Sequence, residues 1–304
     1  MKDKEANKGL PTFLSDMRKD HPGIVMDIES RLNDWCAAVD DKSGIPGFSK
    51  TILEHMEYVR REEIEEFVTS VAQEVKQIRE TDPTRPIRFV SWDSEKGSGR
   101  WFYEQLSRSL SDSDRKNVDH ISFTRVYDHE MDLPESPIYF YLDDAANSGQ
   151  QVQQGIYAFR SVIGKDGDGK LVQRSKKGKP IDLHIRLLRI TDHVKDFIDD
   201  QRHFFVDADG SDLVIIDTDS NPLANQHMPT TQDVIDRLDL SKDEIDSTGM
   251  FFQGHHGRFP ATLAIFWHKV QDNMPIALIQ GRYSSHIMPL ITKENMSAIR
   301  TQYS

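Results

Sequence analysis

Fifteen residues constrain this chain more than any others: PIYFYLDDAANSGQQ, Pro137 to Gln151. An apolar run, Ile138 to Leu142, ends in two adjacent carboxylates, Asp143 and Asp144. The short small-residue loop Ala145 to Gly149 follows, and then an amphipathic helix with the stripe Val152, Ile156, Phe159, Ile163. A near-continuous apolar run of this kind suits a strand covered on both faces of a parallel sheet. In an open α/β sheet, ligands bind outside the carboxyl ends of the strands, where these carboxylates emerge. Backbone N–H groups of a small-residue loop entering a helix form an anion cradle fit for a monophosphate, which side chains larger than Ala or Ser would obstruct. Two carboxylates just before it can accept hydrogen bonds from vicinal hydroxyls, or hold a hydrated Mg²⁺ that in turn holds a pyrophosphate. Together they fit a ribose 5-phosphate. The competing reading is a carboxylate pair that only caps the helix. Adjacent like charges without a cation or hydroxyl partner cost stability, which favours the ligand.

The rest of the chain frames this motif. From Ile87, short apolar runs alternate with helical patterns: IRFVSW, a helix around Trp101 to Leu110, HISFTRV, the motif strand and its helix, DLHIRLLRI and DLVIID. That order predicts an α/β fold with a mostly parallel central sheet. Upstream, Ile24, Ile28, Leu32, Trp35 and Val39 form one helical stripe. After SGIPGFSK a second runs Ile52, Met56, Val59, Ile64, Phe67, Val71, Val75, Ile78. The expected division is a helical N-terminal extension, residues 1–85, and an α/β core with a C-terminal hood or extension, residues 86–304. Near the C-terminus, PTTQDVIDRL and SKDEID read as helices, LAIFWHKV and PIALI as strands.

Charge narrows the function. With 38 Lys and Arg against 50 Asp and Glu the net charge is −12, which excludes a uniformly basic nucleic-acid binder. The charge is segregated: residues 160–189 hold nine Lys and Arg against three Asp. The Gly- and Lys-rich part, Gly164 to Pro180, reads as a solvated excursion, or as a flexible hood over the ligand or a contact to a polyanion. The single cysteine, Cys36, forms no internal disulfide and, with no apolar leader or membrane-length run, points to a cytoplasmic protein with no membrane partner.

The motif resembles the phosphoribosyl-pyrophosphate (PRPP) binding motif of the type I phosphoribosyltransferases. The resemblance implies that Asp143 and Asp144 bind the ribose hydroxyls and Mg²⁺, and that Ala145, Ala146, Asn147, Ser148 and Gly149 bind the 5′-phosphate. A second piece fits the same family: the strand Ile87 to Trp92 leads into DSEKGSG, a candidate pyrophosphate loop. There Lys96 would neutralise pyrophosphate, while Gly97, Ser98 and Gly99 let the backbone approach it. Two positions depart from the pattern. Asn147 stands where many members have an Asp able to act as base, and Gln151 where Thr or Ser is common.

More loosely, from about residue 50 to 290, the chain is similar to phosphoribosyltransferase-like effectors of bacterial anti-phage conflict systems, including retron-associated ones. This implies a pentosyltransferase-type toxin effector held in check by a partner: a reverse transcriptase with its DNA or RNA product, or a DNA-binding regulator. A homo-oligomer is also open. The alternative function is a catalytically inactive module that senses PRPP or a nucleotide through the same pocket.

Other residues carry less. His255 and His256 are adjacent, so their side chains diverge; with Arg258 they read as a base- or phosphate-contacting loop, not a metal site. DGDGK at Asp166 and DADGSD at Asp207 lack the spacing of calcium loops. Asp217 in DTDSNP is either a further site carboxylate or a strand-end turn. His184 and His193 are expected to be satisfied structural histidines, and Trp35, Trp92, Trp101 and Trp267 to lie in the core.

Overall fold

The computed structural model describes residues 11–91, 98–132, 135–146, 150–165, 168, 171–173, 180–202, 205–206, 210–247, 260–270, 274–275, 278 and 289–301. The chain opens with α1 (Thr12–Asp20), α2 (Pro22–Ser43), α3 (Phe48–His55), β1 (Glu57–Val59) and α4 (Arg61–Thr81). Then come β2 (Ile87–Ser91), α5 (Ser98–Ser109), α6 (Asp112–Arg115), β3 (Val118–Ser122), α7 (Val126–Asp132), β4 (Ile138–Ala146) and α8 (Gln150–Arg160). They are followed by β5 (Ile163–Lys165), β6 (Leu171–Gln173), β7 (Ile181–Ile190), α9 (Asp192–Arg202), β8 (Val214–Asp217) and β9 (Gln226–His227). The last are α10 (Thr231–Leu238), α11 (Lys242–Ser247), β10 (Ala264–Phe266), β11 (Lys269–Val270) and α12 (Lys293–Thr301).

Contacts group these elements into two compact units, one of residues up to Glu63 with those from Met228 onward, the other from Ile64 to His227. The sequence places its division near residue 85; the structural grouping follows long-range packing that local pattern does not carry. In the first unit α2 ends at Gly44, whose left-handed φ of 67° suits a glycine and whose N–H returns to the Asp40 carbonyl at 3.0 Å. Val25, Ile28, Trp35 and Val39 of α2 share one core with Val234, Ile235, Leu263, Ile265 and Ile299. The stripe read as one helix from Ile52 to Ile78 is two, split by β1, which pairs in parallel with β10. LAIFWHKV is a hairpin, β10 against β11, turning at Trp267 and His268.

The second unit holds the six-stranded sheet, in the order β3-β2-β4-β7-β8 with β9 beside the end of β7, and every pairing is parallel. The expected α/β fold is therefore present. On one face Phe102 of α5 meets Phe67 of α4 with ring centroids 5.6 Å apart, and Phe89 stacks on Phe140 at 5.0 Å. On the other face Val152, Ile156 and Phe159 of α8 and Val194 and Ile198 of α9 pack against Tyr139, Tyr141, Leu183, Ile185 and Leu187. Ile163, expected on the α8 stripe, starts β5 instead, because the helix stops at Arg160.

Gln173 of β6 donates to Glu130 at 3.1 Å, a buried carboxylate that also accepts from Ser136 at 2.5 Å and Tyr139 at 3.2 Å. This ties the β5–β6 hairpin to the amino end of β4, away from the carboxylates at its other end. Three cations of the basic segment belong to the fold. Arg186 and Arg189 are buried in β7, and Arg160 lies 4.0 Å over the Tyr157 ring and donates to Gln201 at 3.0 Å. Lys170, Arg174, Lys176, Lys177 and Lys179 lie outside the described residues. His193 is exposed in the first turn of α9 and not satisfied in a core, whereas His184 stacks on Phe140 at 4.7 Å.

His184 also carries a pH dependence. Burial, then the neighbouring Arg186, pushes its pKa down to about 4 from 6.5. A depressed folded-state pKa means the unfolded chain binds the proton more readily, so its stabilisation is present above pH 6.5 and lost as pH falls towards 4. The expected loss is on the order of 3 kcal/mol over that window. Denaturant melts at pH 7.0 and 4.5 on wild type and His184→Gln check this: the variant should show a shallower slope.

Candidate active site

The site is built at the carboxyl end of β4, the strand between β2 and β7. β4 keeps its parallel register with β7 through the acidic pair to Ala146, with Asp143 opposite Leu187 and Ala145 opposite Arg189. Asp143 is 7 % exposed and Asp144 1 %. The backbone N–H of Asp144 donates to Asp143 Oδ1 at 2.9 Å, and the Ser98 hydroxyl donates to that same oxygen. The two segments singled out separately in the sequence, the turn after β2 and the end of β4, thus meet through Ser98 and Asp143. Tyr141, two residues earlier, is buried; burial and then the carboxylates of Asp143 and Asp144 push its hydroxyl pKa well up, so it stays neutral beside them.

Two expectations change. Ala145 and Ala146 are not loop: β4 continues through them because β7 extends alongside as far as Ile190. Gly99 lies inside the first turn of α5, where a Cβ would come within 2.7 Å of the Leu142 carbonyl oxygen and of Ser91 Cβ. Its missing side chain lets α5 sit on the ends of β2 and β4. Gly99→Ala is expected to cost about 1–3 kcal/mol by forcing the helix off the sheet, read by a lowered melting temperature. Lys96, Gly97, Asn147, Ser148, Gly149, Arg258, His255, His256 and Trp92 lie outside the described residues.

Beside this centre is a cluster without a sequence motif. His120 Nε2 lies 2.7 Å from Ser91 Oγ, and Arg100 donates to His120 Nδ1 at 3.4 Å. A guanidinium has no acceptor, so Nδ1 must accept and Nε2 carries the proton towards Ser91. His120 is therefore not set to take a proton from Ser91, and the pair is not a nucleophile with its base. Asp217 is no ligand carboxylate of this centre: it closes the turn after β8, accepting from the backbone of Asp219 and Ser220, and pairs with Arg186 at 2.7 Å. Burial alone would raise its pKa; the hydrogen bonds from Ser220 and Arg186 outweigh it and hold the carboxyl well below the usual range.

The donor chemistry fits Mg²⁺ carried by a phosphorylated ligand, since Mg²⁺ takes one or two carboxylates and keeps water and phosphate oxygens as its other ligands. Adjacent strand residues project to opposite faces, so Asp143 and Asp144 leave the end of β4 on different sides of the sheet. Among the described residues no group of three or more His, Cys, Asp or Glu could hold a metal by itself, and no helix is long and apolar enough to cross a membrane.

A parallel sheet with an acidic pair at the carboxyl end of a central strand, met by the first turn of the helix after β2, defines a phosphoribosyltransferase-type α/β protein. A model of the PRTase-CE family matches residues 33–284, and the chain belongs to that family, which is phosphoribosyltransferase-like. No curated protein matches the chain.

Proposed function

We propose that the carboxyl end of the sheet binds PRPP or a ribose 5-phosphate nucleotide with Mg²⁺, and that the chain acts as an effector in bacterial anti-phage defence. The observation that supports the first part is the convergence of Ser98 and Asp143 beside Asp144. Asp143 and Asp144 take the ribose hydroxyls, the stretch Ala145 to Gly149 the 5′-phosphate, and Lys96 the pyrophosphate. Bound Mg²⁺ would neutralise pyrophosphate charge. Transfer from PRPP passes through an oxocarbenium-like state that needs positioning and charge stabilisation more than a strong base. Asn147 is compatible with that chemistry. The defence role is supported by the sequence likeness to retron-associated and related effectors, with a reverse transcriptase and its nucleic-acid product, or a DNA-binding regulator, as partner.

The test of binding is a melt with millimolar Mg²⁺ and PRPP, which should raise the transition; an unchanged curve removes the proposal. Asn147 and Gln151 favour a second reading, a sensor that binds without turnover. Pyrophosphate release on adding bases or nucleic acid supports the enzyme, and stoichiometric binding without product supports the sensor. For the effector role, expression of the wild type alone should be toxic, and the Asp143→Asn/Asp144→Asn variant harmless.

A further inference from the structure

We infer that a cavity at the carboxyl ends of β7 and β8, separate from the acidic pair of β4, is a binding site for a small aliphatic zwitterion, an α-amino acid with a branched side chain. The cavity measures about 170 Å³ and lies between α9 and the turn and loop that follow β8. A cavity of about 150 Å³ already takes a benzene-sized molecule. Its floor is aliphatic: Ile190 at the end of β7, Ile198 of α9 and Ala224 are 2 %, 1 % and 7 % exposed, and no aromatic ring among the described residues lines it. Ile190 is also the register partner of Ala146, so the site adjoins the end of β4 without including the acidic pair.

The deeper polar groups of the wall are committed to the fold. Asn225 donates to the Ile185 and Thr218 carbonyls at 2.8 and 2.9 Å and accepts from the Leu187 N–H at 3.2 Å. Asn221 donates to the Ser70 hydroxyl at 2.9 Å and accepts from the Leu223 N–H at 3.0 Å, while the Thr218 hydroxyl donates to Asp219 at 3.0 Å and accepts from Arg202. What remains for a ligand is a charged mouth: Lys195 and Asp199, four residues apart on one face of α9, and Asp219 from the loop. Arg202 pairs with Asp199 and with Asp219, each at 3.3 Å, and His227 meets Asp192 at 3.1 Å at the other end of α9, so helix and loop are held at both ends of the cavity. Arg202 offsets one of the two carboxylates, and Lys195 makes no ion pair with a described residue. An aliphatic group seated on Ile190, Ile198 and Ala224 brings an ammonium to the carboxylates and a carboxylate to Lys195. A plain amine leaves Lys195 unanswered, and a plain carboxylate meets like charge.

The experiment is calorimetric titration of the full chain with L-leucine and L-valine, with isoamylamine and isocaproate, which each lack one of the two charges, and with glycine, which lacks the side chain. Wild type should bind leucine or valine saturably and the other three roughly tenfold or more weakly. Lys195→Gln should lower leucine affinity to that of isoamylamine and leave isoamylamine unchanged, and Asp199→Asn should weaken leucine and strengthen isocaproate. Both side chains lie at the surface, so the unliganded melts of the variants should stay near that of wild type. Equal affinity for leucine and isoamylamine, unchanged leucine affinity in both variants, or no saturable binding of either amino acid by wild type overturns the inference. None of these results touches the reading of Asp143 and Asp144, which stands or falls on PRPP binding.

Discussion

Arg186→Met is expected to destabilise the folded chain by about 3–5 kcal/mol, enough to remove a large part of the stability of an ordinary domain. Arg186 has no exposed side-chain surface. Its Nε donates to both oxygens of Glu74 on α4, at 3.0 and 2.9 Å, and its Nη2 to Asp217 Oδ2 at 2.7 Å and to the Ser220 hydroxyl. Its Nη1 reaches the Ile185 and Asp217 carbonyls at 3.1 and 2.8 Å. One guanidinium therefore ties α4, β7 and the turn after β8 together. Removing it strands two carboxylates in a poorly solvated place, and the cost is their burial without the cation more than the loss of the bonds themselves. Burial already pushes the Glu74 carboxyl up, with Arg186 opposing it, so in the variant Glu74 should protonate at higher pH. The triple variant Glu74→Leu/Arg186→Met/Asp217→Leu separates these causes. It should recover much of the loss, because it removes the stranded charges together with the cation. Urea denaturation of the three proteins measures it.

The second large effect is on ligand binding with the fold preserved. Asp143→Asn/Asp144→Asn keeps the shape of both side chains and the acceptor for the Ser98 hydroxyl, and it removes two like charges carried by consecutive residues at low exposure. Relief of that repulsion offsets the weaker hydrogen bond from Ser98, so the unliganded melt should stay within about 1 kcal/mol of wild type. The stabilisation by Mg²⁺ and PRPP should vanish. For wild type at a hundredfold excess over Kd it amounts to about 2.7 kcal/mol, a shift of several degrees for a chain of this size. A variant that unfolds without ligand would show instead that the carboxylates serve the fold.

What the sequence makes legible follows from how local each cause is. β2, β4 and β7 are readable because strands covered on both faces are near-continuous apolar runs, and β8 has the same apolar run although its Ile215 is exposed. The acidic pair is readable because its neighbours in sequence, an apolar strand and a helix, set its position. β1 is not readable: Met56, Tyr58 and Val59 extend the apolar spacing of the helices around them, and what makes Glu57–Val59 a strand is pairing with Ala264–Phe266, some two hundred residues later. The alanines at 145 and 146 have little strand propensity and become strand because β7 runs beside them. Arg186 and Arg189 look like part of a basic surface when charge is summed along the chain. Only the apolar residues on either side of them in DLHIRLLRI hint at burial, and the partners that make burial tolerable, Glu74, Asp217 and Gln226, are distant in sequence.

Under the proposed function, the end of β4 holds a phosphorylated ribose through its two carboxylates. Isothermal titration of Mg²⁺–PRPP into the full chain, with the Asp143→Asn/Asp144→Asn protein as its pair, tests it most directly. Wild type should bind saturably at one site per chain, and the folded variant not at all. Equal binding by the two proteins, or none by wild type, would contradict it.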